Sequence, residues 1–399
     1  MMTLLRGSLS GGHVTLPAII GGMNSGVRMH ACCDEASAQW SAGQLIQGDI
    51  KNLARLALER QLSAVPEMRE YFSGDRYDKS VDDTVYHLTA LVQALLAEEP
   101  TLLSEYVTWT KIVLVSRGLK DEHLAGSLVA IRDTLDALPA NLFDAAAAYI
   151  DTALETLSLS VDELLPTAEV EGSLADVARA YLESLLDGDR EAAARIVDEV
   201  IAAGVALPEI YEHVFVASQR EVGRLWQTNR ISVAIEHYAT GATEAIMLQR
   251  CARESSTTPG DASRRFLGAC VEGEQHDLAI RMACDVLQSR GWDTFYLGAS
   301  TPESALLEAI GRLRPTVVGL STTSFFHIDM TRRVIKSIRD AYPDVKIVVG
   351  GAPFARINGL AEKVGADARG CDLLGLATQF GLLIAQDRES APARRPAFA

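Results

Sequence analysis

Four short apolar runs, each set apart from the next by a helical stretch, constrain the second half of this chain more than any other feature. The runs are Phe266–Val271, Thr294–Leu297, Val317–Leu320 and Lys346–Val349. Helical patterns over 277–290, 303–313 and 328–342 alternate with them. Strands alternating with helices predict βαβ units and a parallel, doubly wound sheet. Ligands of such sheets sit beyond the carboxyl ends of the strands, so the residues just after each run are the ones to inspect.

The first half has a different period. Residues 1–45 are rich in Gly, Ser and Thr and read as a flexible arm. From Gly48 onward the pattern is helical: Val85, Leu88, Val92 and Leu95 share one face, and Tyr106, Trp109 and Val113 repeat the spacing. Gly118 and Pro139 punctuate helix ends. Residues 46–165 therefore read as an all-helical domain. Pro166–Gly172 reads as a linker, with Ser173 in N-cap position for the next helix. Helical segments over 174–187, 190–203, 207–227 and 231–252, joined by short turns, predict a four-helix bundle over 170–255. A second linker, 255–263, leads to the α/β domain over 262–387, and 388–399 is a polar tail. The fold class is thus multi-domain: an all-α N-terminal domain, a four-helix bundle, then a doubly wound parallel α/β domain.

Charge and cysteine content exclude several functions. A net charge of −16 disfavours direct contact with nucleic acid, which needs clustered cations. No apolar stretch approaches the about 20 residues of a membrane span, and no basic-then-apolar start suggests secretion. The six cysteines form no C-x-x-C pair, which argues against zinc and for a reducing, cytoplasmic setting. Cys32 and Cys33 are adjacent in a weakly patterned segment, where they read either as incidental or as thiols reaching a chromophore.

The candidate site lies at the predicted carboxyl edge. The first strand runs into Glu272-Gly273-Glu274-Gln275-His276-Asp277. A histidine here can contact a phosphate, act as a base or ligate a metal. Metal ligation needs an acceptor on its second nitrogen, and Glu274 is placed to supply one. The third strand ends in the hydroxyl row Ser321-Thr322-Thr323, and the fourth in Gly350-Gly351. Hydroxyls on one wall and bare backbone on the other suit a long, nucleotide-like tail.

These residues resemble the cobalamin-binding α/β domain, whose pattern is Asp-x-His-x-x-Gly, then Ser-x-Leu or Ser-x-Thr, then Gly-Gly. This chain has Glu274-x-His276-x-x-Ala279, Ser321-x-Thr323 and Gly350-Gly351. The resemblance implies that His276 is the lower axial ligand of cobalt and that Glu274 orients it. It implies that Ser321, Thr323, Gly350 and Gly351 line the slot for the displaced benzimidazole tail. Upstream, Trp226 is followed after nine residues by Glu236-His237, which is similar to the cap of light-sensing cobalamin-binding regulators. There the tryptophan covers the upper 5′-deoxyadenosyl ligand, which implies adenosylcobalamin as cofactor. One departure is Gln227, where the light-responsive repressors have a histidine that fills the vacated upper site; His237, His213 or water is left for that role.

Those repressors carry a basic DNA-binding domain where this chain has acidic helices. Overall the chain resembles the photocobilins, which join a cobalamin module to a helical domain for biliverdin. By that resemblance His87, Tyr106, Trp109, Arg117 and His123 are candidate bilin contacts. The expected function is a sensory, non-enzymatic one. Its output is a change of assembly, with a homo-oligomer such as a dimer, or contact with a downstream protein; Glu236-His237 and the bundle surface are the candidate self-association face. Two other readings stay open: a corrinoid carrier for methyl transfer, and a cobalamin-sensing antirepressor of a transcription factor.

Overall fold

A computed structural model describes residues 37–66, 69, 73–138, 143–164, 174–250, 261–370 and 372–390. Cys32, Cys33, Cys251, Cys371, Pro139, Ser173 and the linker Pro166–Gly172 lie outside the described residues. The chain divides into two compact units, residues 1–166 with Phe325–Asp329, and the remainder. Among the described residues no helix is long and apolar enough to cross a membrane.

The first unit is helical: α1 Ala38–Gly48, α2 Ile50–Ala64, α3 Asp75–Leu96, α4 Thr101–Val115, α5 Glu122–Asp136, α6 Asp144–Glu155 and the short α7 Val161–Leu164. Helix α1 begins inside the stretch read as a flexible arm, so residues 38–45 correct that boundary. Ser37 caps α1 by accepting the Trp40 amide at 3.1 Å. Ala42, Gly43 and Ile46 are buried, and α1 packs on α3. Small residues that look like loop composition form a helix here because tertiary burial outweighs weak propensity. The predicted face of α3 is buried as a set, from Val85 to Leu95. On α4, Tyr106 and Val113 are buried while Trp109 is only half-buried.

The second unit opens with the bundle: α8 Ala175–Leu186, α9 Arg190–Ala202, a third rod and α12 Val233–Arg250. The third rod has three parts, α10 Leu207–Ile210, a π-helical turn Tyr211–Val216, and α11 Ala217–Gln227. Its aromatic interior holds the bundle together. Phe215 lies 5.3 Å from Tyr181 and 5.4 Å from Tyr211, ring to ring, and the Tyr181 hydroxyl meets Thr243 Oγ1 at 2.9 Å.

The α/β layer comes next: β1 Asp261–Val271, α13 Leu278–Ser289, β2 Trp292–Thr301, α14 Glu303–Leu313, β3 Val317–Ser321, α15 Ile328–Ala341, β4 Lys346–Gly350, α16 Ala352–Arg356, α17 Leu360–Lys363, β5 Ala368–Arg369 and α18 Leu376–Ser390. The strands are parallel in the order β2-β1-β3-β4-β5. Strand β5 has two residues and no apolar run, so no pattern announced it. Strands β1 and β2 are longer than their apolar cores, because pairing starts at Asp261 with Trp292 and register shifts absorb the irregularity. Helix α18 reaches Ser390, past the predicted start of the tail at 388. Phe380 of α18 packs on Phe266 and Trp292, at 5.5 and 5.9 Å. Bundle and sheet share one apolar core, from Tyr181 to Phe380.

Candidate functional site

The chain order reverses between β1 and β3, and this is the switch point where doubly wound sheets open a crevice. The register makes the rim level: Cys270 pairs with Ser321, and Ser321 with Gly350. The loops after β1, β3 and β4 therefore emerge side by side.

Glu274 organises the rim. It is fully buried, yet every bond expected of a carboxylate is made. One oxygen, Oε1, accepts the His276 amide at 3.0 Å and meets His276 Nδ1 at 2.5 Å. The other, Oε2, accepts the amides of Thr323 and Ser324 at 2.7 and 2.8 Å. A charge removed from water is thus held by four donors from two loops. The longer Glu, in place of Asp, spans both. Glu274 is itself anchored, its amide donating to Val271 O and its carbonyl accepting from Ser300 N at 2.8 Å. Ser300 adopts a positive φ of 46° to make that bond, and its hydroxyl accepts the Gly273 amide at 3.0 Å.

His276 is the outward face of this assembly, with a side chain 64% exposed. The Glu274 hydrogen bond raises its pKa above the ordinary histidine value, opposed by partial burial and aided by the charges of Glu274, Glu236 and Asp277. Holding Nδ1 against a carboxylate leaves Nε2 as the nitrogen for a ligand and strengthens its basicity. That Glu236 acts on His276 is informative, because Glu236 belongs to bundle helix α12.

The remaining candidates have separate jobs. The hydroxyl row divides: Thr322 turns inward to Thr331, Oγ1 to Oγ1 at 2.7 Å, while Ser321 Oγ is buried with no hydrogen-bond partner among the described residues. Thr323 is half-buried and contributes its amide to Glu274. The two glycines also differ. A Cβ on Gly350 would meet open space. A Cβ on Gly351, at φ +111°, would lie 2.0 Å from the Thr322 carbonyl oxygen, so this glycine is required by the approach of two loops. Ala279 is exposed in the first turn of α13.

In the bundle, Trp226 and Gln227 are half-buried at the end of α11. Glu236 is mostly covered and accepts from Thr240 Oγ1 at 3.3 Å; His237 beside it is largely exposed, with Nε2 3.4 Å from Glu236 Oε2. His213 sits half-buried in the π-helical turn, a feature that no propensity scale signals. In the N-terminal unit, His87 and Tyr106 are joined by a 2.8 Å hydrogen bond in a fully buried setting, with Phe326 5.7 Å from Tyr106. Burial pushes His87 down to about 4 and Tyr106 above its ordinary range. Arg117 donates back to Val113 O in its own helix region, and His123 is exposed on α5.

Residues 264–372 match the family described as B12 binding domain. Residues 177–249 match a second B12 binding domain family. The chain carries a cobalamin-binding module. The B12 binding domain covers the sheet and its rim, and the second match covers the bundle. Trimethylamine corrinoid protein 1 of Methanosarcina acetivorans is 28% identical over 202 residues, 47% of this chain and 88% of that protein. The HTH-type transcriptional repressor CarH of Myxococcus xanthus is 27% identical over 194 residues, 47% of this chain and 62% of that protein. The solved monomethylamine corrinoid protein of Methanosarcina barkeri covers 53% of this chain and 100% of its own, at 16% identity and TM-score 0.47.

Proposed function

We propose that this protein is a cobalamin-dependent light sensor that binds adenosylcobalamin and answers light by changing domain packing or assembly. The observation that carries the cobalamin part is His276, oriented by a four-donor carboxylate and exposed on its outer side at the switch point. The rim fits a corrinoid with a displaced tail: Ser321 Oγ is a buried hydroxyl whose neighbour is the weakly bonding Cys270 thiol, and the space beside Gly350 is open. When bound, adenosylcobalamin supplies a cobalt–carbon bond that visible light breaks.

In this reading His276 is the lower ligand and Glu274 keeps its Nδ1 protonated. Ser321, Thr323 and Gly350 line the tail slot, and Gly351 shapes it. Trp226, Glu236 and His237 would cover the cofactor from the bundle side, and the contact area of Trp226 would couple what is bound there to the packing of the bundle on the sheet. With Gln227 after the tryptophan, His237 and His213 would be the imidazoles on that side, with water as the alternative. The light-sensing part is supported by the W-x9-E-H spacing in the bundle and the similarity to CarH. The role is sensory rather than enzymatic, its output a homo-oligomer or a partner protein.

Biliverdin is proposed as a second chromophore of the helical unit on the photocobilin resemblance alone. His87 and Tyr106 satisfy each other in the core. Absence of red-shifted absorbance on adding biliverdin removes this part.

The corrinoid carrier is the second reading, favoured by the coverage of trimethylamine corrinoid protein 1 over 88% of its length. One experiment separates the two. Adenosylcobalamin is added in the dark, and absorbance and size-exclusion elution are recorded before and after green light. A base-off spectrum that changes irreversibly with a shifted elution volume supports the sensor. Binding with no light-dependent change in either signal selects the carrier.

A further inference from the structure

Asp277 is next in the chain after His276 and stands at the N-cap of α13, yet its side chain makes no capping bond. Its carboxylate instead accepts the Tyr296 hydroxyl from β2 at 2.6 Å. An N-cap acidic residue normally satisfies its own helix. Here that bond is exchanged for one that ties the His276 loop to the neighbouring strand. Tyr296 is gripped from the other side as well: the Arg281 guanidinium lies 4.6 Å from its ring centroid, within cation–π range.

One turn further along α13, Asp285 accepts the Tyr211 hydroxyl at 3.0 Å. Arg281 lies between these two contacts in sequence. Burial raises the pKa of Asp285 and of Tyr296, and the Arg281 charge opposes the rise at both. Tyr211 is fully buried and is the first residue of the π-helical turn in the third bundle rod. That rod runs without a break to Gln227 and carries Trp226 in its last turn. A π turn is a place where a helix accommodates an extra residue, and such turns cluster at functional sites.

We propose that Tyr211 and Tyr296 are positioning residues: the contacts Tyr211–Asp285 and Arg281–Tyr296–Asp277 tie the cap rod that ends in Trp226 to the loop that holds His276. Helix α13 is the rigid bar between them. A displacement of the rod at Tyr211 is transmitted along α13 to Asp277, and so to the neighbouring His276. The inference rests on the cobalamin reading only for the identity of what His276 holds; the mechanical link stands on the side-chain contacts themselves.

Tyr to Phe substitutions test it, since each removes one oxygen and leaves the ring. Hydrogen exchange of the amides of residues 274–278 in the cofactor-free full-length protein is the first readout. Loss of one net hydrogen bond predicts about fivefold faster exchange in Y296F. Y211F, altered in the bundle, accelerates the same amides by a smaller factor. Y342F, which removes a 3.0 Å bond to Leu307 O elsewhere in the domain, leaves them unchanged. The double variant Y211F/Y296F resembles Y296F alone, because both act along one path. Exchange in Y211F equal to wild type, or fully additive effects, overturns the link.

The second readout adds cob(II)inamide, a corrinoid that lacks the benzimidazole tail, as probe and records nitrogen splitting in its electron paramagnetic resonance spectrum, with H276A as the blank. Splitting in wild type that is reduced in Y296F but not in Y342F supports the positioning role; equal splitting in Y296F and Y342F overturns it. Wild type indistinguishable from H276A defeats the cobalamin reading instead, while the exchange result still decides the link.

Discussion

Two histidines in this protein are held through the same atom and tuned in opposite directions. His87 Nδ1 meets the Tyr106 hydroxyl, and His276 Nδ1 meets the Glu274 carboxylate, at 2.8 and 2.5 Å. The first is wholly buried with a neutral partner, and desolvation drives its pKa to about 4. The second is exposed on its outer side with an anionic partner, and its pKa rises. A histidine's role is set by the charge of its partner and the wetness of its far edge. His87 is a neutral structural group at physiological pH. His276 presents a basic nitrogen outward.

The largest expected effect breaks the charged member. E274A leaves the amides of His276, Thr323 and Ser324 without their acceptor. It destabilises the protein by about 3 kcal/mol or more in urea unfolding, at about 1–3 kcal/mol per buried orphan. A loss under about 1 kcal/mol shows that water replaces the carboxylate, and the rim is then less rigid than the geometry implies.

Acidification comes next and has opposite signs at the two sites. His87 binds its proton more weakly folded than unfolded, so its contribution is complete above pH 6.5 and is lost as pH falls toward about 4. The shift corresponds to about 3 kcal/mol. His276 behaves inversely: its contribution is complete below 6.5 and disappears as pH rises through its raised folded value. Its exposure keeps that contribution small. Titration of the two imidazoles by NMR is expected to give midpoints on opposite sides of 6.5, and midpoints on one side erase the contrast.

Y106F is a milder probe of the neutral pair. Removing the hydroxyl leaves His87 Nδ1 buried and unpaired, at about 1–2 kcal/mol in thermal unfolding. The smallest effect belongs to the open side of the His276 rim. G350A adds a methyl where no atom lies within 4 Å and changes stability by under about 0.5 kcal/mol. The same variant weakens cobalamin binding, measured by titration of absorbance, if that space is the tail slot.

Much of this was legible in sequence because it is local. The strand cores of β1 to β4, the helices between them and the bundle helices arise from apolar periodicity. Glu274 and His276 are two residues apart, so their pairing needs only a turn. The illegible parts are those made at a distance. Helix α1 has the composition of a loop and is rescued by burial against α3. The π-helical turn has no pattern of its own, and β5 is too short to have one.

By itself the sequence determined the alternation of elements, the loop carrying His276 and the acidic net charge. Tertiary structure alone decided the division of labour at the rim. It spent Thr322 on Thr331, gave the Cβ space of Gly351 to Thr322 O, and brought two amides 49 and 50 residues away onto Glu274. It also joined Tyr211 to Asp285 across 74 residues. Periodicity encodes which face of an element is apolar, which is a short-range property. Which polar atoms meet depends on strand order and register, and those are settled only when the whole core closes.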